Sequence, residues 1–461
     1  MELLQTVLSF LVVIGVLVFV HELGHFLTAK WTGMRADVFA LGMGRRLFGW
    51  NWKTGFTFGP IPEDLDLEGR TDYRLCLLPV GGYVKIVGMI DESFDTEFVD
   101  KAPQPYEFRV KKNWQKALVL VAGVVMNILF AIAVFWAIPM FNGREEHVVS
   151  RLSYVEPGSV AQRAGLQAGD QIVRVDGKSV STWEEIGESF GLIASTGLSG
   201  STGDHVVDIR RGSEERAVRI PGRDVVRAMA AGQGLGMNPE GMRVSLAGVV
   251  TLAPAGKAGL QAGDIILAAD SMAVRTTPQL QKYVRAHAGR SLVLHVERKG
   301  TTLPVPLTVS EDSTIGVELA QSYVGETRTT TYGPLTSLSM AIGEVGGTIS
   351  MIGASVTHVF RGDVSVKQSF GGPIRIAQMA SRSSELGAEA FFRFMALISI
   401  SLAVMNLLPL PGLDGGHLVF VGIESIIRRE IPTNVKMRFQ QVGVALLLGL
   451  MVFVIYLDIT R

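Results

Sequence analysis

The sequence contains a single cysteine, Cys76, among its 461 residues. One thiol excludes an internal disulfide framework and any zinc site built on several cysteines. Neither charge is in excess, since 43 Lys and Arg balance 43 Asp and Glu. The basic domain typical of nucleic-acid-binding proteins is lacking, so no nucleic-acid partner is predicted. Charged residues make up only 19% of the chain, below the roughly one quarter typical of soluble domains, which indicates a membrane protein.

Four runs without a charged residue predict transmembrane helices. Their lengths approach or exceed the roughly 18 residues that cross a bilayer. They cover Leu3 to Val20, Ala117 to Phe141, Phe394 to Leu413 and Val442 to Leu457. The first run follows Glu2 rather than basic residues, and no small-x-small cleavage site comes after it. A retained helix is therefore favoured over a signal peptide.

A fifth stretch, Leu335 to Phe360, is apolar but interrupted by Glu344, His358 and several Gly, Ser and Thr residues. We predict an amphipathic helix at the membrane surface here, within an interfacial region at 330–390.

Basic residues near the ends of the predicted spans set the orientation of the chain. They gather in the loop after the first span and in the loop between the third and fourth spans. In order, they are Lys30, Arg35, Arg45, Arg46, Arg109, Lys111, Lys112 and Lys116, then Arg428, Arg429, Lys436 and Arg438. Both loops are expected in the cytoplasm, which places Asn142 to Arg393 and both termini on the other side of the bilayer.

An internal repeat marks the long outer segment. The heptapeptide Ala-Gly-Leu-Gln-Ala-Gly-Asp occurs at 164–170 and again at 258–264, each time between a Pro-containing turn and a short apolar run. The pattern resembles two bacterial PDZ domains, at 145–222 and 243–311, with Arg223 to Gly241 as the linker. PDZ domains bind extended peptides at a sheet edge, so peptide ligands are expected. A pair of generic β modules sharing one turn is the alternative.

The end of the first span carries the motif His-Glu-Leu-Gly-His at residues 21–25. On a helix, positions i and i+4 share one face, so His21 and His25 can meet one metal ion. Glu22 is then placed to act as general base on a metal-bound water. Ionisable residues inside a span are costly and are functional by default, which favours a catalytic site over a structural histidine pair.

A catalytic zinc takes three protein ligands and keeps one position for water. Asp414 is the predicted third ligand. Both the first and third spans enter from outside, so His21 and Asp414 fall near the same cytoplasmic depth. Pro409 and Pro411 should interrupt the third helix there. His417, three residues beyond Asp414, is a rival ligand, although a supporting role beside the metal suits it better.

In combination, these motifs resemble the site-2 protease family. The resemblance rests on His-Glu-Leu-Gly-His in a first span and on Asn406 with Leu413-Asp414-Gly415 in a third. Four spans with two PDZ modules between the second and third extend it over nearly the whole chain. The resemblance implies zinc held by His21, His25 and Asp414, with Glu22 activating the water.

The family resemblance also implies residues that bind substrate. Asn406 would contact the substrate backbone near the scissile bond, and Pro409 lies in the same matched segment. Leu78 to Val84, with Gly81, Gly82 and Tyr83, resembles the family's membrane-associated β-loop, which presents an edge to an unwound substrate. From the residues alone, the two glycines predict a hairpin with a close backbone approach. A second matched segment, 370–374, has no role that can be derived.

We therefore predict a polytopic α-helical membrane protein with four transmembrane helices, a membrane-associated β-loop and two tandem periplasmic PDZ domains. In chain order the predicted segments are the first helix (1–30), a cytoplasmic loop with a β-hairpin (31–112), the second helix (113–142), two PDZ domains (145–222 and 243–311), interfacial helices (330–390), the third helix (391–417) and the fourth (436–458).

By resemblance, the function is zinc-dependent hydrolysis of peptide bonds within the membrane segments of single-span proteins. Anti-sigma factors and remnant signal peptides form the implied substrate class, in the regulated intramembrane proteolysis of an envelope stress response. The implied location is a bacterial inner membrane, with the active site near its cytoplasmic side. One departure from the family is Val124, where proline is common, and it affects no catalytic residue.

Two alternatives stay open. A membrane zinc protease of another His-Glu-x-x-His family would take a later glutamate as ligand, with Glu424 as the candidate. A catalytically silent PDZ scaffold anchored by four spans is the other, and it would usually have lost part of the metal triad.

Overall fold

The computed structural model describes residues 2–62, 65–89, 102–190, 203–230, 234–361 and 372–459. The chain divides into two compact units. The first unit joins Met1–Asn142 to Tyr332–Arg461 and is mainly helical, and the second, Gly143–Thr331, is built largely of β-strands.

The first unit contains long helices and one sheet. Its elements are α1 (Glu2–Trp31), β1 (Ala36–Asn51), β2 (Gly55–Phe58), β3 (Asp72–Ile86), a 3-10 turn (Phe108–Val110), α2 (Asn113–Phe141), α8 (Pro334–Arg361), α9 (Pro373–Glu385), α10 (Ala388–Leu407), α11 (Asp414–Ile427) and α12 (Thr433–Ile459).

Within the described residues, five helices are long and apolar enough to cross a membrane: α1, α2, α8, α10 and α12. Helices α1, α2 and α12 contain the first, second and fourth predicted spans, and α10 contains the first part of the third. The third predicted span is wrong at its end, because α10 stops at Leu407 and Asp414 begins a separate helix, α11. Pro409 and Pro411 lie between the two helices, where proline removes backbone donors and stops helical continuation. The sequence analysis did not predict α11.

Helix α8 packs along α2 and α10 rather than standing apart. Ala341 and Val345 join a buried cluster with Ala131 and Phe135 of α2. Glu344 forms an ion pair with Arg393 of α10 at 3.0 Å. Residues Pro334–Gly353 of α8 are long and apolar enough to form a span.

The sheet of the first unit is built around β1. Val38 pairs with both Asp72 and Lys85, so the two ends of β3 flank β1 on opposite edges. The predicted hairpin at Gly81 and Gly82 is therefore wrong in its pairing. The turn exists, with φ +73° at Gly81, but both flanking segments pair with β1 instead of with each other. Among the described strands, 82–86 pairs with β1.

The second unit contains two similar β modules and a short strand pair. The first module has β5 (Leu152–Val155), α3 (Val160–Arg163), β6 (Gln171–Val175), β7 (Lys178–Ser179), α4 (Trp183–Ser189), β8 (His205–Arg211), β9 (Glu214–Ile220), α5 (Gly222–Ala230) and β10 (Met237–Pro239). The second has β11 (Met242–Val249), α6 (Pro254–Lys257), β12 (Ile265–Ala269), β13 (Met272–Ala273), α7 (Thr277–Ala286), β14 (Ser291–Arg298), β15 (Thr301–Thr308) and β16 (Val317–Tyr323). Strands β4 (Arg144–His147) and β17 (Thr327–Thr330) pair with each other.

The repeated heptapeptide performs the same structural task in both modules. Its final aspartate, Asp170 or Asp264, is buried and forms an ion pair at 2.7 Å with Arg211 or Arg298 of the following hairpin. The same arginine also donates to the carbonyl of the repeat's first glycine, Gly165 or Gly259. In each module, the ion pair of the buried aspartate therefore connects the turn of the repeat to a strand distant in sequence.

Both modules extend beyond their predicted ends. The linker predicted over Arg223 to Gly241 is wrong, because Val225 and Leu235 belong to the first module's core and β10 pairs with β5. The second module likewise continues past 311, since β16 pairs with β11 along its length. These pairings join segments about 80 residues apart, and local sequence patterns do not report them.

Candidate metal centre

Helix α1 places the two histidines of the motif on one face. His21 and His25 are separated by four residues, and their Nε2 atoms lie 3.1 Å apart. His21, Glu22 and His25 are each at most 9% exposed. Two imidazole nitrogens facing each other at this distance need a shared proton or a cation between them.

Asp414 reaches the same point from the far end of the chain. It is the first residue of α11, directly after the proline-interrupted segment. Its Oδ2 lies 3.1 Å from Nε2 of His21 and 3.4 Å from Nε2 of His25. In the described part of the chain, these three residues form the group whose ligand atoms all lie within 4.8 Å of one another.

The donor set fits a zinc ion on two observations. Two imidazole nitrogens and one carboxylate oxygen make a three-ligand set, which suits a catalytic zinc with one position left for water. Asp414 Oδ2 is buried and, within the part of the chain that the structure describes, has no hydrogen-bond partner of normal geometry, although it faces both imidazoles. A buried carboxylate oxygen without a donor is costly, and a cation at this point would compensate it.

Helix α2 lies directly behind the two imidazoles. The carbonyl of Val119 is 2.8 Å from His25 Nδ1, so it accepts a hydrogen bond from that ring. One turn later, Gly123 leaves room for the rings, because a Cβ there would lie 2.5 Å from His25 Nε2 and 2.6 Å from His21 Cε1. The sequence analysis missed both residues. The only available signal was a glycine and an asparagine, Asn127, spaced one turn apart in an otherwise apolar span.

A cavity of about 60 Å³ opens at the site. Its lining combines the three candidate ligands with Glu22, Tyr83 and His417. Gly82 of β3 packs closely against α1, since a Cβ at Gly82 would lie 2.6 Å from Val18 and 3.1 Å from Glu22. The strand segment 82–86 therefore lies next to the candidate general base.

The remaining predicted residues fall into two groups. Asn406 lies near the end of α10 with Nδ2 3.2 Å from His21 Nε2, and His417 lines the cavity but stands outside the three-ligand cluster. Pro409 is exposed and does not line the cavity.

Glu424 stands outside the three-ligand cluster and does not line the site cavity. It accepts from the backbone N–H of Ile431 and pairs with Lys436 at 2.6 Å. Of the matched segment 370–374, residues 370 and 371 lie outside the described residues, and the N–H of Gly372 donates to Asp458.

Comparison with known proteins agrees with this geometry. The family model for peptidase family M50 matches residues 9–450. The chain belongs to peptidase family M50. It is a metalloprotease of the site-2 type. This assignment agrees with a site in which a histidine motif in one apolar helix meets an aspartate that follows another apolar helix.

Several relatives match over the full length. A "Putative zinc metalloprotease" of Vibrio cholerae is 31% identical over 485 aligned positions, covering 100% of this chain and 99% of that protein. The "Regulator of sigma-E protease RseP" of Salmonella typhimurium is 30% identical over 489 positions and covers 100% of both chains. The protein of the same name from Escherichia coli is 31% identical over 477 positions, covering 98% of each. These matches show a multi-pass membrane metalloprotease of the M50 family.

Proposed function

We propose that this chain is a zinc endopeptidase that cleaves single-span membrane proteins within their membrane segments. The observation that carries the proposal is the convergence of His21, His25 and Asp414 on one point between apolar helices. A buried site among helices that can cross a membrane suits a substrate that is itself a membrane helix.

His21, His25 and Asp414 would hold the zinc ion. When bound, the ion acts as a Lewis acid and lowers the pKa of a bound water. Glu22 lines the same cavity and follows His21 directly. Its carboxylate would take the proton of the attacking water and pass it to the leaving amine.

Two further elements would hold the substrate. A helix hides its peptide bonds in its own hydrogen bonds, so the segment to be cut must unwind. The strand segment 82–86, next to Glu22, would offer replacement backbone partners. Asn406 provides an amide donor beside the candidate ligands, at a place where it would contact the substrate backbone near the scissile bond.

The two β modules would act as peptide-binding PDZ domains on the periplasmic side. The support comes from their strand arrangement. Among the described residues, β16 pairs only with β11 and ends the sheet, and α7 contacts it. An edge strand beside a helix is the arrangement that binds an extended peptide by strand addition.

The proposed membrane arrangement follows the basic loops. Residues 30–116 and 428–438 would face the cytoplasm, and the β modules and both termini the periplasm of a bacterial inner membrane. Anti-sigma factors and remnant signal peptides are the proposed substrate class.

The test is cleavage of a single-span substrate in proteoliposomes, with zinc content measured on the same samples. The native chain and Glu22→Gln are compared, because this substitution keeps the side-chain shape but removes the base. We expect about one zinc per chain in both proteins and cleavage reduced by about 10²-fold or more in the variant. Cleavage by Glu22→Gln at the native rate would overturn the role of Glu22, and cleavage without zinc would overturn the zinc mechanism.

A further inference from the structure

Asn127 of α2 is a fully buried amide next to the candidate zinc site. It is 0% exposed and stands one helical turn beyond Gly123, on the face of α2 that backs the imidazoles. Its Nδ2 lies 3.2 Å from Nδ1 of His21, and its Oδ1 has no hydrogen-bond partner among the described residues. Its backbone carbonyl accepts a hydrogen bond from Ser399 of α10 at 2.9 Å, which fixes α2 against α10 at this level.

The two ring nitrogens of His21 face different partners. Nε2 points toward Asp414, His25 and Asn406, whereas Nδ1 points only toward Asn127 among the contacts described. A metal bound through Nε2 leaves the proton of the neutral ring on Nδ1. That N–H then needs an acceptor, because a buried donor left unpaired is costly.

The amide of Asn127 can supply this acceptor. A 180° flip of the side-chain amide leaves its shape unchanged and exchanges the positions of Nδ2 and Oδ1. Oδ1 then lies where it accepts from the Nδ1–H of His21. In the orientation described, Nδ2 donates to an unprotonated Nδ1, which matches a ring that carries its proton on Nε2. One side chain therefore suits both tautomers of His21.

We infer that Asn127 is a positioning residue that fixes the metal-binding tautomer of His21 through its side-chain oxygen. The inference rests on the proposed function, since it takes zinc at His21 as its starting point. Partners of this kind on the second nitrogen of a metal-bound histidine typically change metal affinity by about 10- to 100-fold. The second candidate histidine ligand also has an acceptor at its other ring nitrogen, because His25 Nδ1 is paired with the carbonyl of Val119.

The experiment measures zinc affinity by competition with a chromophoric chelator, using the full-length chain in detergent. Four proteins are compared: native, Asn127→Leu, Asn127→Asp and Ser399→Ala. Leucine keeps the size of the side chain but removes the acceptor, and aspartate keeps an acceptor oxygen. Ser399→Ala is the matched control, because it loosens the same helix contact without touching His21.

We expect Asn127→Leu to bind zinc about 10- to 100-fold more weakly than the native chain, with native affinity or better in Asn127→Asp. Ser399→Ala should stay within about threefold of native, since it leaves the pairing of His21 intact. Native affinity in Asn127→Leu would overturn the inference alone. An equal loss in the leucine and aspartate variants, or in Ser399→Ala, would also overturn it by showing a packing effect. A native chain that binds no zinc would overturn the proposed function as well.

Discussion

Nε2 of His21 lies 3.1 Å from Oδ2 of Asp414, although the two residues stand near opposite ends of the chain. The contact requires α1 and the segment after α10 to reach the same depth beside α2. Proline-interrupted backbone makes this possible, because it ends α10 and lets α11 begin with the carboxylate in place. Irregular backbone at membrane depth is tolerated only inside protein or beside water, and here it borders the site cavity.

The first prediction concerns Gly123. Alanine at this position puts a Cβ within van der Waals overlap of both imidazoles, so the rings must move. We expect Gly123→Ala to weaken zinc binding by about tenfold or more, measured as zinc retained after dialysis against a chelator.

Gly15→Ala is the matched control for this substitution, because a Cβ at Gly15 has no neighbour within 4 Å. Undiminished zinc binding by Gly123→Ala would show that the imidazoles do not depend on this close approach.

The second prediction separates substrate binding from metal binding. Asn406→Ala removes an amide beside the site without removing a ligand of the cluster. We expect zinc content to stay native while cleavage in proteoliposomes falls by about 10²-fold, the usual effect of deleting one donor to a developing charge. The exposed neighbour Met405 provides the control, and Met405→Ala should cleave normally. Loss of zinc from Asn406→Ala would instead assign the residue to the metal site.

The third prediction concerns the ion pair that the repeat places in the second module. Burial alone would raise the pKa of Asp264, but hydrogen bonds from Arg298 and from the backbone N–H of Gln261 hold that pKa below its ordinary value. A carboxyl whose pKa is lowered on folding stabilises the fold above its unfolded pKa, and this contribution is lost as pH falls through the folded pKa. The module should therefore lose stability on acidification below about pH 4.

Asp264→Ala should lower the free energy of opening of the second module by about 3 kcal/mol, because it leaves Arg298 without its buried partner. Hydrogen exchange at the amides of β12 and β14 in the full chain measures this change. Glu311→Ala, at an exposed position, should leave exchange unchanged. Equal exchange rates in Asp264→Ala and the native chain would show that the pair contributes nothing.

The fourth prediction tests the surroundings of α8. Ile342 and Ile349 lie two turns apart and are 52% and 39% exposed on the protein surface. If α8 contacts lipid along this face, cysteines placed there react slowly with a water-soluble maleimide in nanodiscs. We expect rates at least about tenfold below that of Leu252→Cys, whose native side chain is 82% exposed in the second unit. All three variants carry Cys76→Ser. Equal rates would mean that this face of α8 lies in water.

Much of the site could be predicted from the sequence because helical spacing and hydropathy are local signals. The positions of His21 and His25 follow from one helix, and the break at Pro409 and Pro411 follows from the chemistry of proline. What escaped prediction depends on contacts between distant segments. The pairing of β10 with β5 and the pairing of both ends of β3 with β1 leave no local pattern. The place of Gly123 behind the imidazoles leaves only its one-turn spacing from Asn127.

The central claim is that three residues, two from α1 and one from the start of α11, hold one zinc ion. Zinc per chain, measured by elemental analysis of the purified native protein, Asp414→Ala and Glu424→Ala, tests it most directly. The account predicts about one zinc in the native chain and in Glu424→Ala, with little in Asp414→Ala, because a catalytic zinc needs its third ligand. Full zinc in Asp414→Ala together with its loss from Glu424→Ala would contradict it, and so would a native chain without zinc.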